Sequence, residues 1–185
     1  MLRTFLPQVI KVGPLQARAF HATSVSRVAV GDLIPNVKLQ EDSPSHEVSS
    51  RDIFKRHKRA ILIGVPGAFT PGCSKTHVPS YLTAYPELKQ KGVELVACVS
   101  VNDAFVMKAW AESLGTGDKV KLLADPKAEF VKSLDLSFDA TGVLGSVRSK
   151  RFALLIEDAV VKKIYVEPDN TGITCTLAQT VLKDL

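Results

Sequence analysis

A chain of 185 residues with 45% hydrophobic content can enclose one sizeable core and is short for two. No apolar run reaches the roughly 18 to 20 residues of a membrane-spanning helix, so a soluble protein with no membrane partner is expected. The net charge of +5 sits at one end: the first 27 residues hold four of the 24 basic groups and no acid, leaving 20 against 19 elsewhere. A nearly neutral remainder argues against a nucleic-acid partner.

Residues 1–27 are Arg-bearing, acid-free and interspersed with Ser, Thr and Leu, without the continuous apolar segment of a secretory peptide. They are expected to be a mitochondrial (matrix) presequence, ahead of one domain over 28–185. Arg18 to Thr23 resembles a two-step matrix-processing pattern that leaves Val28 first. Lys183-Asp184-Leu185 is a poor peroxisomal tripeptide, because Asp replaces a basic residue. Cytosolic or peroxisomal pools stay open.

Ala60 to Val65 and Val93 to Val99 are short aliphatic runs of the kind that form buried central strands. The Pro/Gly loop Pro66 to Gly72 and a stretch to Lys91 long enough for a helix lie between them, giving a βαβ unit. Asn102 and Asp103 are N-cap candidates for a helix to Leu114, stopped by Gly115 and Gly117. A strand at Lys121 to Ala124, a helix from Lys127 to about Leu134 and an irregular stretch follow. Phe152 to Ile156 and Val160 to Val166 then read as an antiparallel hairpin, and Thr174 to Leu185 as a final helix. Parallel strands followed by an antiparallel pair predict an α/β thioredoxin-like fold, a central mixed sheet flanked by helices.

The three cysteines, Cys73, Cys98 and Cys175, are too few and too scattered for a zinc site, so no metal is expected. A lone cysteine is most commonly an inert core thiol. Cys73, however, follows Val65-Pro66-Gly67-Ala68-Phe69-Thr70-Pro71-Gly72 at a join from strand to helix, where free N–H groups and the helix dipole favour a thiolate. Thr70 lies three residues earlier, where a turn brings its hydroxyl to the same pocket, and the backbone N–H groups of Gly72 and Cys73 are further donors. A peroxide needs such donors at its leaving oxygen. His77, one turn on, reads as a structural hydrogen-bonder before it reads as a general base.

Pro66-x-x-x-Thr70-x-x-Cys73 resembles the active-site signature of the peroxiredoxins, and Gly64 to His77 resembles their peroxiredoxin-5 (atypical two-cysteine) subtype. The likeness extends through Val101 to Phe105, Leu122 to Pro126, Lys150 to Phe152 and Val166 to Asp169. Leu134 to Arg148 fits less well. The resemblance implies thiol-dependent reduction of hydrogen peroxide, alkyl hydroperoxides and peroxynitrite, regeneration by thioredoxin, no cofactor and a homodimer. It makes Cys73 the peroxidatic cysteine, Thr70 the peroxide-positioning hydroxyl and Pro66 a shield for the sulfur. Arg151, read alone a surface residue at a strand start, becomes a substrate-binding arginine.

Cys98, within an aliphatic strand, reads as an unreactive packing residue, although some plant relatives resolve at its position. Cys175 follows the turn formers Glu167 to Gly172 and is expected to be exposed and mobile at the start of the last helix. Its surroundings resemble those of the resolving cysteine in animal members. The competing function is a redox-responsive binding or signalling protein that uses Cys73 oxidation with little turnover.

Overall fold

The computed structural model describes residues 27–185; the expected presequence lies outside the described residues except for Arg27. Among the described residues, nine strands and six α-helices run β1 (Lys38–Glu41), β2 (Ser43–Ser49), α1 (Ser50–Lys55), β3 (Arg59–Val65), α2 (Val78–Gln90), β4 (Leu95–Ser100), α3 (Ala104–Leu114) and β5 (Lys121–Ala124). There follow α4 (Glu129–Ser133), β6 (Ser137–Asp139), α5 (Thr141–Leu144), β7 (Val147–Ser149), β8 (Phe152–Glu157), β9 (Val160–Val166) and α6 (Ala178–Val181).

Seven strands form one sheet in the order β2-β1-β5-β4-β3-β8-β9, with β3, β4 and β5 parallel and β1 and β8 antiparallel to their neighbours. This is the mixed, helix-flanked sheet expected from the sequence. Because successive strand residues face opposite ways, β3 feeds two cores. Ile61, Ile63 and Val65 join Tyr81, Leu88, Met107 and Trp110 on the side of α2, α3 and α6. Ala60 and Leu62 join Phe54, Phe130 and Leu154 on the other. Burial on both faces is why β3 and β4 are continuous aliphatic runs.

Asp103 caps α3 by accepting from the Val106 N–H at 2.9 Å, and Gly115 ends it in the left-handed region at φ 63°. Asn102, the other cap candidate, has a different task. Its Oδ1 accepts from the Ala68 N–H at 3.0 Å and the Ser100 hydroxyl at 2.7 Å, tying the Pro/Gly loop to the end of β4.

Two expectations are corrected. The irregular stretch after Leu134 contains the β6–β7 hairpin and α5. The final helix is much shorter than Thr174 to Leu185: α6 starts at Ala178, and Leu182–Asp184 is a 3-10 turn. The Thr176 carbonyl, which such a helix would give to the Thr180 N–H, accepts instead from Tyr81 Oη at 2.7 Å and His77 Nε2 at 3.1 Å. The N–H groups of Thr174, Cys175 and Thr176 bond to the Glu167 carboxylate at 2.8 to 3.0 Å and hold the segment in this non-helical course. Among the described residues no helix is long and apolar enough to cross a membrane.

Candidate active site

Cys73 opens a single π-helical turn, Cys73–His77, that leads into α2, and its side chain is fully buried. Such a turn carries an extra residue and is less well bonded than α-helix. The preceding loop is held by Asn102 at Ala68, by the Thr70 N–H on Gly67 O and by the Ser74 N–H on Thr70 O. Phe69 sits at φ 61°, a conformation uncommon for a residue with a side chain, and its half-exposed ring lies 6.5 Å from that of Trp110. The Trp110 indole N–H donates to Ser74 Oγ at 3.0 Å, fastening α3 to the cysteine turn.

Arg151 stands between β7 and β8 and is only 3% exposed. Its Nη1 donates to Cys73 Sγ at 3.3 Å, and its Nε donates to Thr171 O at 3.0 Å. A fixed guanidinium cation against sulfur stabilises negative charge there. Gly72 permits this approach: a Cβ on it would lie 3.2 Å from Arg151 Nη2 and from Ile173 Cδ1. The structure therefore buries Arg151 beside Cys73, where its own sequence neighbours pointed to the surface.

His77 is wholly buried and joins this group. Its Nε2 lies 3.1 Å from Thr176 O, and its Nδ1 lies 3.2 Å from Arg151 Nη1. A carbonyl only accepts, so Nε2 carries the proton and Nδ1 accepts from the guanidinium. Burial first, and the Arg151 charge second, lower the His77 pKa to about 3. The ring is a neutral prop for Arg151, in keeping with a structural hydrogen-bonder.

Pro66, Thr70, Gly72 and Arg151 line one largely apolar cavity of about 630 Å³, together with Phe138, Val143 and Leu144 of the hairpin region. The Thr70 hydroxyl donates to Gly67 O at 2.9 Å, which leaves its oxygen lone pairs as acceptors. Cys73 itself is buried beneath this wall.

All three cysteines are free. Cys98 is fully buried in β4, and burial pushes its thiol well up, as expected of a packing residue. Cys175 departs from expectation: it is half-buried in a loop before α6, not at a helix start. Its sulfur donates to Val166 O at 3.5 Å, and burial, then the Glu167 carboxylate, raise its pKa. Glu167 was not among the sequence candidates. It is 1% exposed and takes five hydrogen bonds from Thr174, Cys175 and Thr176. Burial alone would raise its pKa, but these donors hold it down at about 2.

The redoxin family profile matches residues 29–182. The chain is 43% identical over 171 residues to Peroxiredoxin-2E-2, chloroplastic, of Oryza sativa subsp. japonica, across 89% of this chain and 75% of that one. This chain is a peroxiredoxin of the redoxin family. Among solved structures, reduced Prx3 from Vibrio vulnificus in complex with hydrogen peroxide is 40% identical, with a TM-score of 0.76 over 85% of this peroxiredoxin and 95% of that chain. Peroxiredoxin 5 from Alvinella pompejana is 39% identical, with a TM-score of 0.74 over 84% and 96%. As a peroxiredoxin the protein is a thiol-dependent peroxidase with a thioredoxin-like fold.

Proposed function

We propose that the chain is a peroxiredoxin-5-type peroxidase in which Cys73 is oxidised by peroxide and Cys175 resolves the product. The Cys73 thiolate attacks one peroxide oxygen in line, the O–O bond breaks, and the other oxygen leaves as water or alcohol after taking a proton. Cys73 becomes a sulfenic acid. Its condensation with the Cys175 thiol forms the disulfide and releases water. Thioredoxin, a dithiol reductant, then restores both thiols and is itself oxidised. No organic cofactor or metal takes part in this cycle.

The observation that carries this reading is the Arg151 guanidinium 3.3 Å from the buried Cys73 sulfur. One fixed cation there stabilises the attacking thiolate and presents N–H groups to the peroxide oxygens. The Thr70 oxygen accepts a hydrogen bond from the hydroperoxide O–H and so positions the substrate. The apolar cavity over Pro66 and Thr70 gives an alkyl hydroperoxide room beside hydrogen peroxide and peroxynitrite.

Steady-state turnover with peroxide, thioredoxin and its reductase tests the scheme on Cys73→Ser, Cys98→Ser and Cys175→Ser. Loss is expected for the first and third, with Cys98→Ser active. A dead Cys98→Ser that still folds would transfer the resolving role. Consumption that stops after one equivalent in the unmodified protein would favour a redox sensor over a peroxidase.

The same reading takes residues 1–27 as a mitochondrial presequence, supported by their acid-free, Arg-bearing composition. Protein isolated from mitochondria should begin at Val28; an intact Met1 there would remove the assignment. The homodimer implied by the family resemblance belongs to this reading too, and sedimentation at micromolar concentration tests it.

A further inference from the structure

If Cys175 resolves Cys73, as proposed above, the reduced structure holds it in an unreactive pose. The Cys175 sulfur points to Val166 O at 3.5 Å, and the Cys73 sulfur is taken by Arg151. Ile173, two residues before Cys175, packs against the Gly72 position beside Cys73. The segment is gripped from both sides. Glu167 Oε1 accepts the N–H groups of Thr174, Cys175 and Thr176 at 2.8, 2.9 and 3.0 Å and the Thr176 hydroxyl at 2.8 Å, while Oε2 accepts the Thr174 hydroxyl at 2.6 Å. From the other side the Thr176 carbonyl accepts from Tyr81 Oη at 2.7 Å and His77 Nε2 at 3.1 Å.

We infer that Glu167 is a positioning residue for the resolving step: its carboxylate latches Thr174 to Thr176 in the reduced form, and release of that latch limits how fast Cys175 reaches the Cys73 sulfenic acid. The geometry fixes the direction. Three consecutive N–H groups aimed at one carboxylate oxygen hold the backbone of Cys175 itself, so any approach to Cys73 that moves this backbone has to break them. Hydrogen bonds to a charged acceptor are about twice as strong as neutral ones, so the charge on Glu167 sets the grip. The same charge disfavours the Cys175 thiolate, which is the nucleophile in this step. Cys73–SOH and Cys175–SH give the disulfide and water, the thiol proton leaving with the sulfenic oxygen; peroxide has already supplied the oxidising equivalents.

The test is single-turnover stopped flow of the full chain with one equivalent of hydrogen peroxide, with disulfide and sulfenic acid quantified by trapping and mass spectrometry. Glu167→Gln keeps the shape and removes the charge. It is expected to raise the first-order resolving rate about tenfold, the equivalent of about 1.4 kcal/mol of latch, and to move the pH profile of that rate to lower pH. Thr174→Val removes only the hydroxyl bond to Oε2, and it should raise the rate less and leave the pH profile in place. An unchanged or slower rate in folded Glu167→Gln overturns the inference; should that variant fail to fold, an unchanged or slower rate in Thr174→Val does so. Cys175→Ser run in parallel separates the two levels. If it still forms an intramolecular disulfide, the assignment of Cys175 is wrong; if it stops at sulfenic acid while the latch variants keep the normal rate, only the latch is.

Discussion

Arg151 shows how little a residue's own neighbourhood says about its work. Flanked by Lys150 and a strand, it reads as surface, yet the fold buries it with one N–H on the Cys73 sulfur, another on Thr171 O and His77 as a neutral prop. Only the long-range closure of β8 against β3 brings it to Cys73, and no local pattern encodes that. Cys98 and Cys73 were more legible because their settings are local: a strand interior for the first, a Pro/Gly loop before a helix for the second. Glu167 was not, since its donors lie seven to nine residues on and bend back to it. For Arg151→Met the second-order rate of Cys73 oxidation should fall about 100-fold, the usual loss on removing one donor to a developing oxyanion. Arg151→Lys should fall less, since it keeps the charge but loses the planar fork that reaches sulfur and Thr171 together. Stopped-flow Trp110 fluorescence reads both, because the single tryptophan is bonded to the turn that bears Cys73. Equal losses for the two variants would mean that fork geometry, not charge, is what sulfur requires.

At the scale of elements, what sequence pattern read well was what short-range physics decides. The aliphatic strands, the Asp103 cap and the Gly115 stop of α3 follow from period and cap chemistry. The π-helical turn at Cys73 and the short α6 did not, because each is held by distant partners: Arg151 and Trp110 at the first, Tyr81, His77 and Glu167 just before the second. One strand pair shows how tight the support beneath the site is. Gly64 faces Phe152 across β3 and β8, and a Cβ on Gly64 would lie 2.1 Å from the Phe152 ring. Gly64→Ala should therefore cost about 2 kcal/mol in urea unfolding, the range of an overpacked core. A cost within error of zero would show that the ring can move aside. The π turn has the opposite character. Amide exchange across Ser74 to Val78 and Thr174 to Thr176 should speed up in the oxidised protein while α3 stays protected, because the proposed Cys73–Cys175 bond requires one or both segments to leave their present partners. Matching protection in the two redox states would rule out that unwinding.

For the molecule as a whole, two buried groups that share the Thr174–Thr176 segment tie stability to pH. His77 has its pKa lowered from 6.5 to about 3, by burial first and then by the Arg151 charge. Glu167, with burial opposing, is brought from 4.5 to about 2 by its hydrogen bonds. Both folded-state values lie below the unfolded ones, so in each case the unfolded chain takes up the proton first on acidification. The His77 contribution is complete above pH 6.5 and is lost as pH falls from there to about 3. That of Glu167 is complete above about 4.5 and is lost on the way to 2. At about 1.4 kcal/mol per unit, the His77 contribution is on the order of 5 kcal/mol when complete and that of Glu167 somewhat smaller. Acidification should then weaken the protein in two stages, the first beginning well above the range of ordinary carboxylates. His77→Gln, which cannot titrate, should flatten the stability curve between pH 6.5 and 4.5 and leave the steeper fall below it. Urea midpoints taken across that range by Trp110 fluorescence decide the matter: an unflattened curve in the variant would mean that the early loss belongs to groups other than this histidine, and that its neutral ring is not what acid attacks first.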